Sequence, residues 1–219
     1  MTNLSKSNYK KRKKILVTGA NGFIGKNLTL SLLEADNFEV IKFVRESENY
    51  LLKEYINEAD FVVHLAAKNK GEKDEEFNII NVGITELICK FIKTKFREKG
   101  LLTPILFTSS IHANKDTTYG KTKLQAEKQL IKLKNEIKNP VFIFRLPGVF
   151  GKWCKPNYNS VVATFCNNIS KDLPIQIHNR EFEITLIYID DVVEEFIKVI
   201  QGIKKTKKEL LVQPEYKIK

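Results

Sequence analysis

The sequence predicts an α/β fold in which a parallel, doubly wound sheet carries helices on both of its faces. Short apolar runs rich in β-branched residues alternate with amphipathic segments along most of the chain. Residues 60–67 and 141–146 are almost continuously apolar, as strands covered on both faces should be. A glycine-rich turn separates the first apolar run from the first amphipathic segment, which is the strand, turn and helix order of such a sheet.

The first strand ends at regularly spaced glycines. After the apolar run at residues 15–17, Gly19, Gly22 and Gly25 recur at every third position. The first glycine permits a tight turn, the second lets the backbone approach a pyrophosphate, and the third lets the helix pack closely on the strand. Free N–H groups at the helix N-terminus would face the anion. The motif predicts a Rossmann-like dinucleotide-binding unit, and the alternative is an ordinary surface turn between a strand and a helix.

The remaining elements alternate between strand and helix. Further strands are predicted at residues 38–44, 60–67, 104–110 and 141–146. Helices are predicted from the glycine turn to residue 35 and at residues 51–56, 77–99 and 119–137.

The second strand ends at Arg45, where NAD-preferring enzymes carry an acidic residue for the adenosine ribose. A guanidinium suits a 2′-phosphate, so Arg45 favours NADP(H), although a solvated arginine is the alternative and Glu46 and Glu48 lie nearby. His64 lies within an apolar strand and is interpreted as a hydrogen-bonded core histidine rather than a catalyst.

Tyr119 and Lys123 are four residues apart on one predicted helix, so both project from the same face. A neighbouring ammonium is expected to lower the pKa of the tyrosine and so activate it for acid–base work. Ser110, at the carboxyl end of the preceding strand, would reach the same cleft and hydrogen-bond a carbonyl oxygen. Tyr-x-x-x-Lys is common, and its position after the glycine turn and a strand-end serine makes it informative.

Composition narrows the function classes. The net charge of +11 favours anionic ligands, but the basic runs at residues 10–14 and 204–208 are interpreted as solvated, so no nucleic-acid partner is predicted. No apolar run approaches ~20 residues, so no membrane span is predicted. Cys89, Cys154 and Cys166 lack disulfide or zinc spacing, and the histidines lack metal-ligand spacing. A cytoplasmic protein without a metal site is expected.

Together these features resemble the extended short-chain dehydrogenase/reductase family, which includes nucleotide-sugar epimerases, dehydratases and reductases. The matching segments are Thr-Gly-Ala-Asn-Gly-Phe-Ile-Gly at 18–25, His-Leu-Ala-Ala at 64–67, Asn-Val-Gly-Ile-Thr at 81–85, Ser-Ser at 109–110, Tyr-x-x-x-Lys at 119–123, Arg-Leu-Pro-Gly-Val-Phe-Gly at 145–151 and Tyr-Ile-Asp-Asp at 188–191.

The resemblance implies a catalytic triad of Ser110, Tyr119 and Lys123 and a supporting hydrogen-bond role for Asn81. The residues predicted to bind the NADP(H) cofactor are Gly19, Asn21, Gly22, Phe23, Ile24, Gly25, Arg45, Leu65, Ala66, Ala67, Tyr119, Lys123 and Leu146. Two positions depart from the family pattern. Gly148 replaces the usual Asn, and Ile184 replaces an arginine used for the nucleotide pyrophosphate, for which Arg180 is only a distant substitute.

Residues 150–166 carry a narrower resemblance, to bacterial C3-epimerase/C4-reductases of capsule and O-antigen synthesis on the route to UDP-N-acetyl-L-fucosamine. This segment is a polar and aromatic loop that runs into a helix. The residues predicted to bind substrate are Ser110, Lys152, Trp153, Asn157, Tyr158 and Asn159. Lys155 is also suited to a diphosphate, and the alternative for the segment is a helix-capping loop around a buried tryptophan.

The domain prediction follows from the same resemblance. We expect a basic lead-in at residues 1–12, an NAD(P)-binding Rossmann domain at 13–150 and a partial substrate-binding lobe at 151–219, interleaved with it. In the resembling enzymes a cupin-like metal domain follows the reductase. This chain stops at Lys219, so a truncated or split form is expected, with a homodimer and a separate cupin-like polypeptide as candidate partners.

The implied function is NADPH-dependent reduction of the C4 ketone of a UDP-4-keto-6-deoxy-N-acetylhexosamine. The alternative is a non-catalytic NADP-binding regulatory or interaction protein that kept the fold without turnover. The intact Ser110, Tyr119 and Lys123 favour the enzyme, whereas fold class alone does not separate the two functions.

Overall fold

The computed structural model describes residues 11–68, 78–158, 160–177, 179, 181, 183–203 and 216–218. The strands are β1 Lys13–Thr18, β2 Phe38–Phe43, β3 Phe61–His64, β4 Ile105–Ser110, β5 Val141–Leu146, β6 Gly148–Phe150, β7 Ile184–Tyr188 and β8 Tyr216–Ile218. The helices are α1 Phe23–Glu34, α2 Asn49–Glu58, α3 Ile84–Lys99, α4 Thr118–Ile137, α5 Val161–Ile169 and α6 Ile189–Ile200. A π-helical turn, Asn78–Gly83, leads directly into α3.

The main sheet is parallel, with strand order β2-β1-β3-β4-β5. The order reverses between β1 and β3, because the chain moves outward to β2 and then returns to the other side of β1. In open α/β sheets ligands bind at such a reversal, in the crevice beyond the carboxyl ends of the strands. The crevice therefore lies between the residues that follow Thr18 and those that follow His64.

Alternate residues of β1 pack on opposite faces of the sheet, as a pleated strand requires. Ile15 and Val17 join one buried cluster together with side chains of α1 and α6. Leu16 joins a second cluster formed with side chains of α2, α3 and α4. The three layers confirm the predicted doubly wound α/β fold.

A second, smaller sheet has the order β6-β7-β8. β6 pairs with β7 in parallel and β7 with β8 antiparallel, and these three strands were not predicted from the sequence. Helix α6, which follows β7, packs against α1 of the main domain. Residues beyond 150 therefore form strands of the second sheet and also, through α6, pack against the main domain. The domain boundary at residue 150 stays a prediction.

Several elements differ from their predicted bounds by one or two residues, and β3 and α3 differ by more. The strand predicted at residues 60–67 ends at His64, because the Ala66 N–H donates to the Thr18 hydroxyl at 3.2 Å instead of to a neighbouring strand. The helix predicted from residue 77 starts with the π-helical turn, and Phe77 lies outside the described residues. π-Helical turns are rare and often occur at functional sites.

His64 lies at the centre of a buried hydrogen-bond chain. Its Nδ1 atom is 2.7 Å from the Thr18 hydroxyl and its Nε2 atom 2.9 Å from the Thr85 hydroxyl. The Thr85 hydroxyl donates to the Asn81 carbonyl oxygen at 2.8 Å, so it can only accept from His64. His64 therefore carries its proton on Nε2, and Nδ1 accepts from Thr18. The prediction of a hydrogen-bonded core histidine is confirmed, since the side chain is fully buried.

The described residues contain neither a membrane-spanning helix nor a cluster of metal-binding side chains. None of their helices is long and apolar enough to cross a bilayer. They contain no group of three or more His, Cys, Asp or Glu side chains arranged to hold a metal ion. All three cysteines, Cys89, Cys154 and Cys166, are free thiols.

Replacing His64 with glutamine should weaken the pH dependence of stability below neutrality. Burial, and secondarily the Lys123 ammonium, lower the pKa of His64 from 6.5 to about 3. Between those values the unfolded chain binds a proton that the folded chain does not, so stability is lost as the pH falls below 6.5. Urea unfolding measures the free energy of unfolding at each pH. Between roughly pH 7 and 5 this free energy should fall by about 2 kcal/mol more in the wild type than in His64→Gln.

His112→Gln is the matched control, because His112 is an exposed loop histidine. This variant should retain most of the wild-type loss of stability between the two pH values. Equal losses in the wild type and in His64→Gln would contradict the assignment of a neutral, buried imidazole.

Candidate active site

The glycine turn brings the carboxyl ends of β1 and β3 into backbone contact. Gly19 has φ +71°, and a Cβ there would lie 2.8 Å from the backbone nitrogen of Ala66. A Cβ at Gly25 would overlap the carbonyl oxygen of Gly19, so the third glycine lets α1 start directly against the turn. No side chain caps α1 at Gly22, which leaves the first helical N–H groups facing the crevice.

A cleft of about 1720 Å³ extends along this edge of the sheet. Sites for single small ligands usually span about 300–1,000 Å³, so this cleft has room for two ligands side by side. All the residues predicted to bind the cofactor line it: Gly19, Asn21, Gly22, Phe23, Ile24, Gly25, Arg45, Leu65, Ala66, Ala67, Tyr119, Lys123 and Leu146. Their shared position supports the predicted roles, which remain predictions.

The end of the cleft beyond β2 is formed by a tight turn. The Val44 N–H donates to the Ser47 hydroxyl at 3.1 Å, and the Ser47 N–H donates to the Val44 carbonyl at 3.0 Å. Arg45 and Glu46 stand at the corner of this turn, and both line the cleft. Ser47 and Asn49 line it as well, although no motif in the sequence pointed to either residue.

Ser110, Tyr119 and Lys123 come together at the floor of the cleft. Ser110 ends β4, and its side chain hydrogen-bonds that of Tyr119. Thr117 caps α4 by accepting from the Gly120 N–H at 3.0 Å, which places Tyr119 in the first turn of the helix. The Lys123 Nζ lies 5.9 Å from the centroid of the Tyr119 ring.

The pKa of Tyr119 is raised by burial, and its hydrogen bond with Ser110 opposes that effect. The prediction that Lys123 lowers the pKa of Tyr119 is therefore wrong for this structure. The reason is that loss of hydration disfavours the phenolate, while the Lys123 ammonium donates to the Thr108 carbonyl at 2.9 Å. Burial also lowers the pKa of Lys123 to about 8, and the Glu127 carboxylate opposes this shift.

Asn81 links the strand end of β3 to helix α4. Its side chain accepts from the Lys68 N–H at 2.8 Å and donates to the Lys68 carbonyl at 3.2 Å. The same amide donates to the Thr122 hydroxyl at 3.2 Å, and that hydroxyl donates to the Tyr119 carbonyl at 3.0 Å. Asn81 thus ties the Lys68 backbone to helix α4 through the Thr122 hydroxyl, in line with the supporting role that the resemblance implied.

The predicted substrate residues divide into two groups. Ser110, Trp153 and Tyr158 line the cleft, as does Lys155. Lys152 and Asn157 do not line it, so the structure lends no support to their predicted contact with the substrate. Asn159 lies outside the described residues.

The positions of Lys152 and Asn157 have local causes. The Lys152 Nζ stacks over the Trp153 ring at 4.4 Å from its centroid, and the Lys152 carbonyl accepts from the Asn27 amide at 3.0 Å. Asn157 has φ +56°, and its backbone N–H donates to the Thr164 hydroxyl at 2.9 Å. The alternative interpretation of this loop required a buried tryptophan. Trp153 is instead exposed, with an exposed fraction of 44%.

The two positions that depart from the family pattern, Gly148 and Ile184, both lie at the start of strands in the second sheet. Gly148 starts β6, and a Cβ there would lie 3.0 Å from the Leu186 side chain, so the neighbouring strand leaves little room for an asparagine. Ile184 starts β7, and Arg180 lies outside the described residues. Sequence reasoning also missed His112, which lines the cleft two residues after Ser110.

Comparisons with known proteins place these observations in a family. Residues 15–212 match the NAD dependent epimerase/dehydratase family. The chain is 51% identical, over 205 residues, to a UDP-2-acetamido-2,6-beta-L-arabino-hexul-4-ose reductase of Pseudomonas aeruginosa, covering 94% of this chain and 54% of that protein. It is 29% identical to a UDP-glucose 4-epimerase of Vibrio cholerae, covering 91% of this chain and 70% of that protein.

Two solved structures are similar to this chain over most of its length. The capsular polysaccharide assembling protein CapF from Staphylococcus aureus matches with a TM-score of 0.80 and 38% identity, covering 93% of this chain and 55% of that one. A UDP-glucuronic acid 4-epimerase from Bacillus cereus, in complex with NAD, matches with a TM-score of 0.79 and covers 93% of this chain and 80% of that one. Its identity of 19% shows likeness of fold alone.

The chain spans about half the length of the Pseudomonas aeruginosa reductase and of CapF. Both predicted resemblances, to the family and to capsule-sugar enzymes, are confirmed by these matches. The family match covers the glycine turn, the strand ends and the Tyr119–Lys123 helix that together form the cleft. The chain belongs to the NAD dependent epimerase/dehydratase family.

Proposed function

We propose that this chain is an NADPH-dependent reductase that acts on the C4 ketone of a UDP-4-keto-6-deoxy-N-acetylhexosamine. The observation that carries the proposal is the trio of Ser110, Tyr119 and Lys123, assembled on the floor of a cleft that begins at the glycine turn. The 51% identity to a protein named as a UDP-hexulose reductase supports the substrate class. Nucleotide-sugar synthesis for a capsule or O-antigen is the proposed context, supported by the likeness to CapF.

The crevice fits a dinucleotide on the evidence of its shape. Side chains at Gly19 and Gly25 would collide with the surrounding backbone, so the turn keeps main-chain N–H groups accessible to a pyrophosphate. Arg45 lines the cleft at the corner of the turn after β2, where its guanidinium would pair with a 2′-phosphate. Leu65, Ala66 and Ala67 would form the apolar wall against the cofactor. The bound nicotinamide would supply the hydride for C4.

The protein residues would supply orientation and a proton. The Ser110 hydroxyl would donate a hydrogen bond to the C4 carbonyl oxygen and so fix its direction. The Tyr119 hydroxyl would protonate that oxygen as negative charge develops on it. A raised pKa suits this role, because Tyr119 stays a phenol at neutral pH and is a proton donor from the start. Lys123 would stabilise the phenolate that remains and hold the cofactor ribose.

The loop after β6 is proposed to recognise the nucleotide sugar. Trp153 offers an exposed aromatic face for stacking, and Tyr158 offers a hydroxyl at the same wall of the cleft. Lys155 lines the cleft where Lys152 does not, so we assign the diphosphate contact of this loop to Lys155.

Replacing Tyr119 with phenylalanine should abolish reduction and leave NADPH binding nearly unchanged. Only the proton donor is lost, so kcat should fall by at least ~100-fold, the usual scale for general acid catalysis. NADPH oxidation with a UDP-4-keto sugar measures the rate, and fluorescence titration measures cofactor affinity. Tyr50→Phe is the matched control, because Tyr50 is an exposed tyrosine outside the cleft.

Retention of most of the turnover by Tyr119→Phe would remove Tyr119 from its proposed role. NADPH binding by the wild type without any turnover would instead favour a non-catalytic NADP-binding protein.

Replacing Arg45 with aspartate should shift cofactor preference from NADPH toward NADH. The new carboxylate would repel the 2′-phosphate and accept a hydrogen bond from a ribose hydroxyl. Titration of both cofactors into both proteins measures the ratio of affinities. Arg97→Asp makes the same charge change on an exposed part of α3 and should leave the ratio unchanged. An unchanged ratio in Arg45→Asp would show that another residue reads the 2′-phosphate.

A further inference from the structure

A buried ion pair lies behind the proposed catalytic residues. The Glu127 carboxylate, on α4, accepts from Arg145 of β5 through two parallel bonds: Nε to Oε1 at 2.9 Å and Nη2 to Oε2 at 2.7 Å. The Ser109 hydroxyl donates to the same carboxylate. Only 5% of the Glu127 side chain is exposed, and 18% of the Arg145 side chain. A carboxylate this well bonded is held in one place.

Lys123 lies one helical turn before Glu127, so the two side chains project from the same face of α4. The Lys123 ammonium donates to the Thr108 carbonyl at 2.9 Å. Thr108 and Ser109 are neighbours on β4, so consecutive strand residues receive the two charged side chains of the helix. Lys123, Glu127 and Arg145 therefore form a row of alternating charges beneath the cleft.

We propose that Glu127 and Arg145 are positioning residues that set the charge of Lys123. The Glu127 carboxylate stabilises the ammonium form, and the Arg145 guanidinium weakens that effect by neutralising part of the carboxylate's field. The two residues thus act on Lys123 in opposite directions, although they form one ion pair. The consequence for turnover rests on the proposed function, because there Lys123 must remain charged to assist Tyr119.

Among the residues that the structure describes, the other groups that face Lys123 carry no charge near neutral pH. His64 of β3 is neutral, because its pKa is held at about 3. Tyr119 is a phenol, since burial raises its pKa. Strand β4 presents Thr108 and the ring of Phe107, with the Lys123 Nζ 4.9 Å from that ring's centroid. Glu127 is the charge that opposes the effect of burial on the pKa of Lys123, which lies at about 8.

The test measures the titration of Lys123 directly, by NMR of the full chain labelled with [¹³C]lysine, without substrate or cofactor. Loss of one signal in Lys123→Arg assigns the resonance. Glu127→Gln should lower the pKa of Lys123 by about 1 pH unit or more, and Arg145→Met should raise it. Opposite shifts are the diagnostic result, because loss of packing alone would move both variants in the same direction.

Two matched controls separate charge from contact. Glu136→Gln removes an exposed carboxylate from the last turn of the same helix, where it pairs with Lys93 at 3.1 Å, and should leave the titration of Lys123 unchanged. Ser109→Ala removes a hydrogen bond to Glu127 without changing charge, and its effect should be smaller than that of Glu127→Gln. Shifts of equal sign in Glu127→Gln and Arg145→Met, or shifts no larger than in Glu136→Gln, would overturn the proposal.

The double variant Glu127→Gln/Arg145→Met covers the case in which a single variant does not fold. Replacing both members of a buried ion pair by neutral residues is often tolerated where removal of one is not. The pKa of Lys123 should still fall in this variant, because Glu127 lies one helical turn from Lys123 and Arg145 acts on Lys123 by partly neutralising Glu127. An unchanged pKa would overturn the proposal. These titrations need no turnover, so their failure is distinct from failure of the reductase assay with Tyr119→Phe.

Discussion

The close approach of two strand ends, at Gly19 and Ala66, is the constraint on which the site depends. A Cβ at Gly19 would lie 2.8 Å from the Ala66 nitrogen, so any larger residue would push β1 and β3 apart at their carboxyl ends. The reversal of strand order occurs between these same strands, and the crevice opens there. The first turn of α1 and the apolar wall at Ala66 therefore face each other across the space that would hold a dinucleotide.

A buried polar chain fixes this geometry from beneath. Thr18 accepts from the Ala66 N–H and donates to His64, which donates to Thr85, which donates to the Asn81 carbonyl. Each hydroxyl in the chain both donates and accepts, so only the Nε2–H tautomer of His64 satisfies every group. A buried network of this kind is favourable only when complete, which ties the end of β1 to the start of α3.

Burial then determines the chemistry of the two titratable groups at the cleft floor. It raises the pKa of Tyr119 and lowers that of Lys123 to about 8, because in each case the uncharged form is favoured. Both shifts suit the proposed reduction, since Tyr119 keeps its proton and Lys123 can still carry the positive charge of its ammonium form. The Glu127 carboxylate opposes the effect of burial on the pKa of Lys123.

The sequence by itself determined the alternation of strands and helices, the glycine turn at Gly19 and the proximity of Tyr119 to Lys123. These features depend on local periodicity and on spacing within single elements, which the order of residues encodes directly. Only the tertiary structure decided that Lys152 stacks over a tryptophan instead of lining the cleft, and that burial outweighs Lys123 in setting the pKa of Tyr119. It alone paired Arg145 with a carboxylate on α4. Hydration and contacts between residues distant in the chain arise only on packing, so spacing along the chain could not predict them.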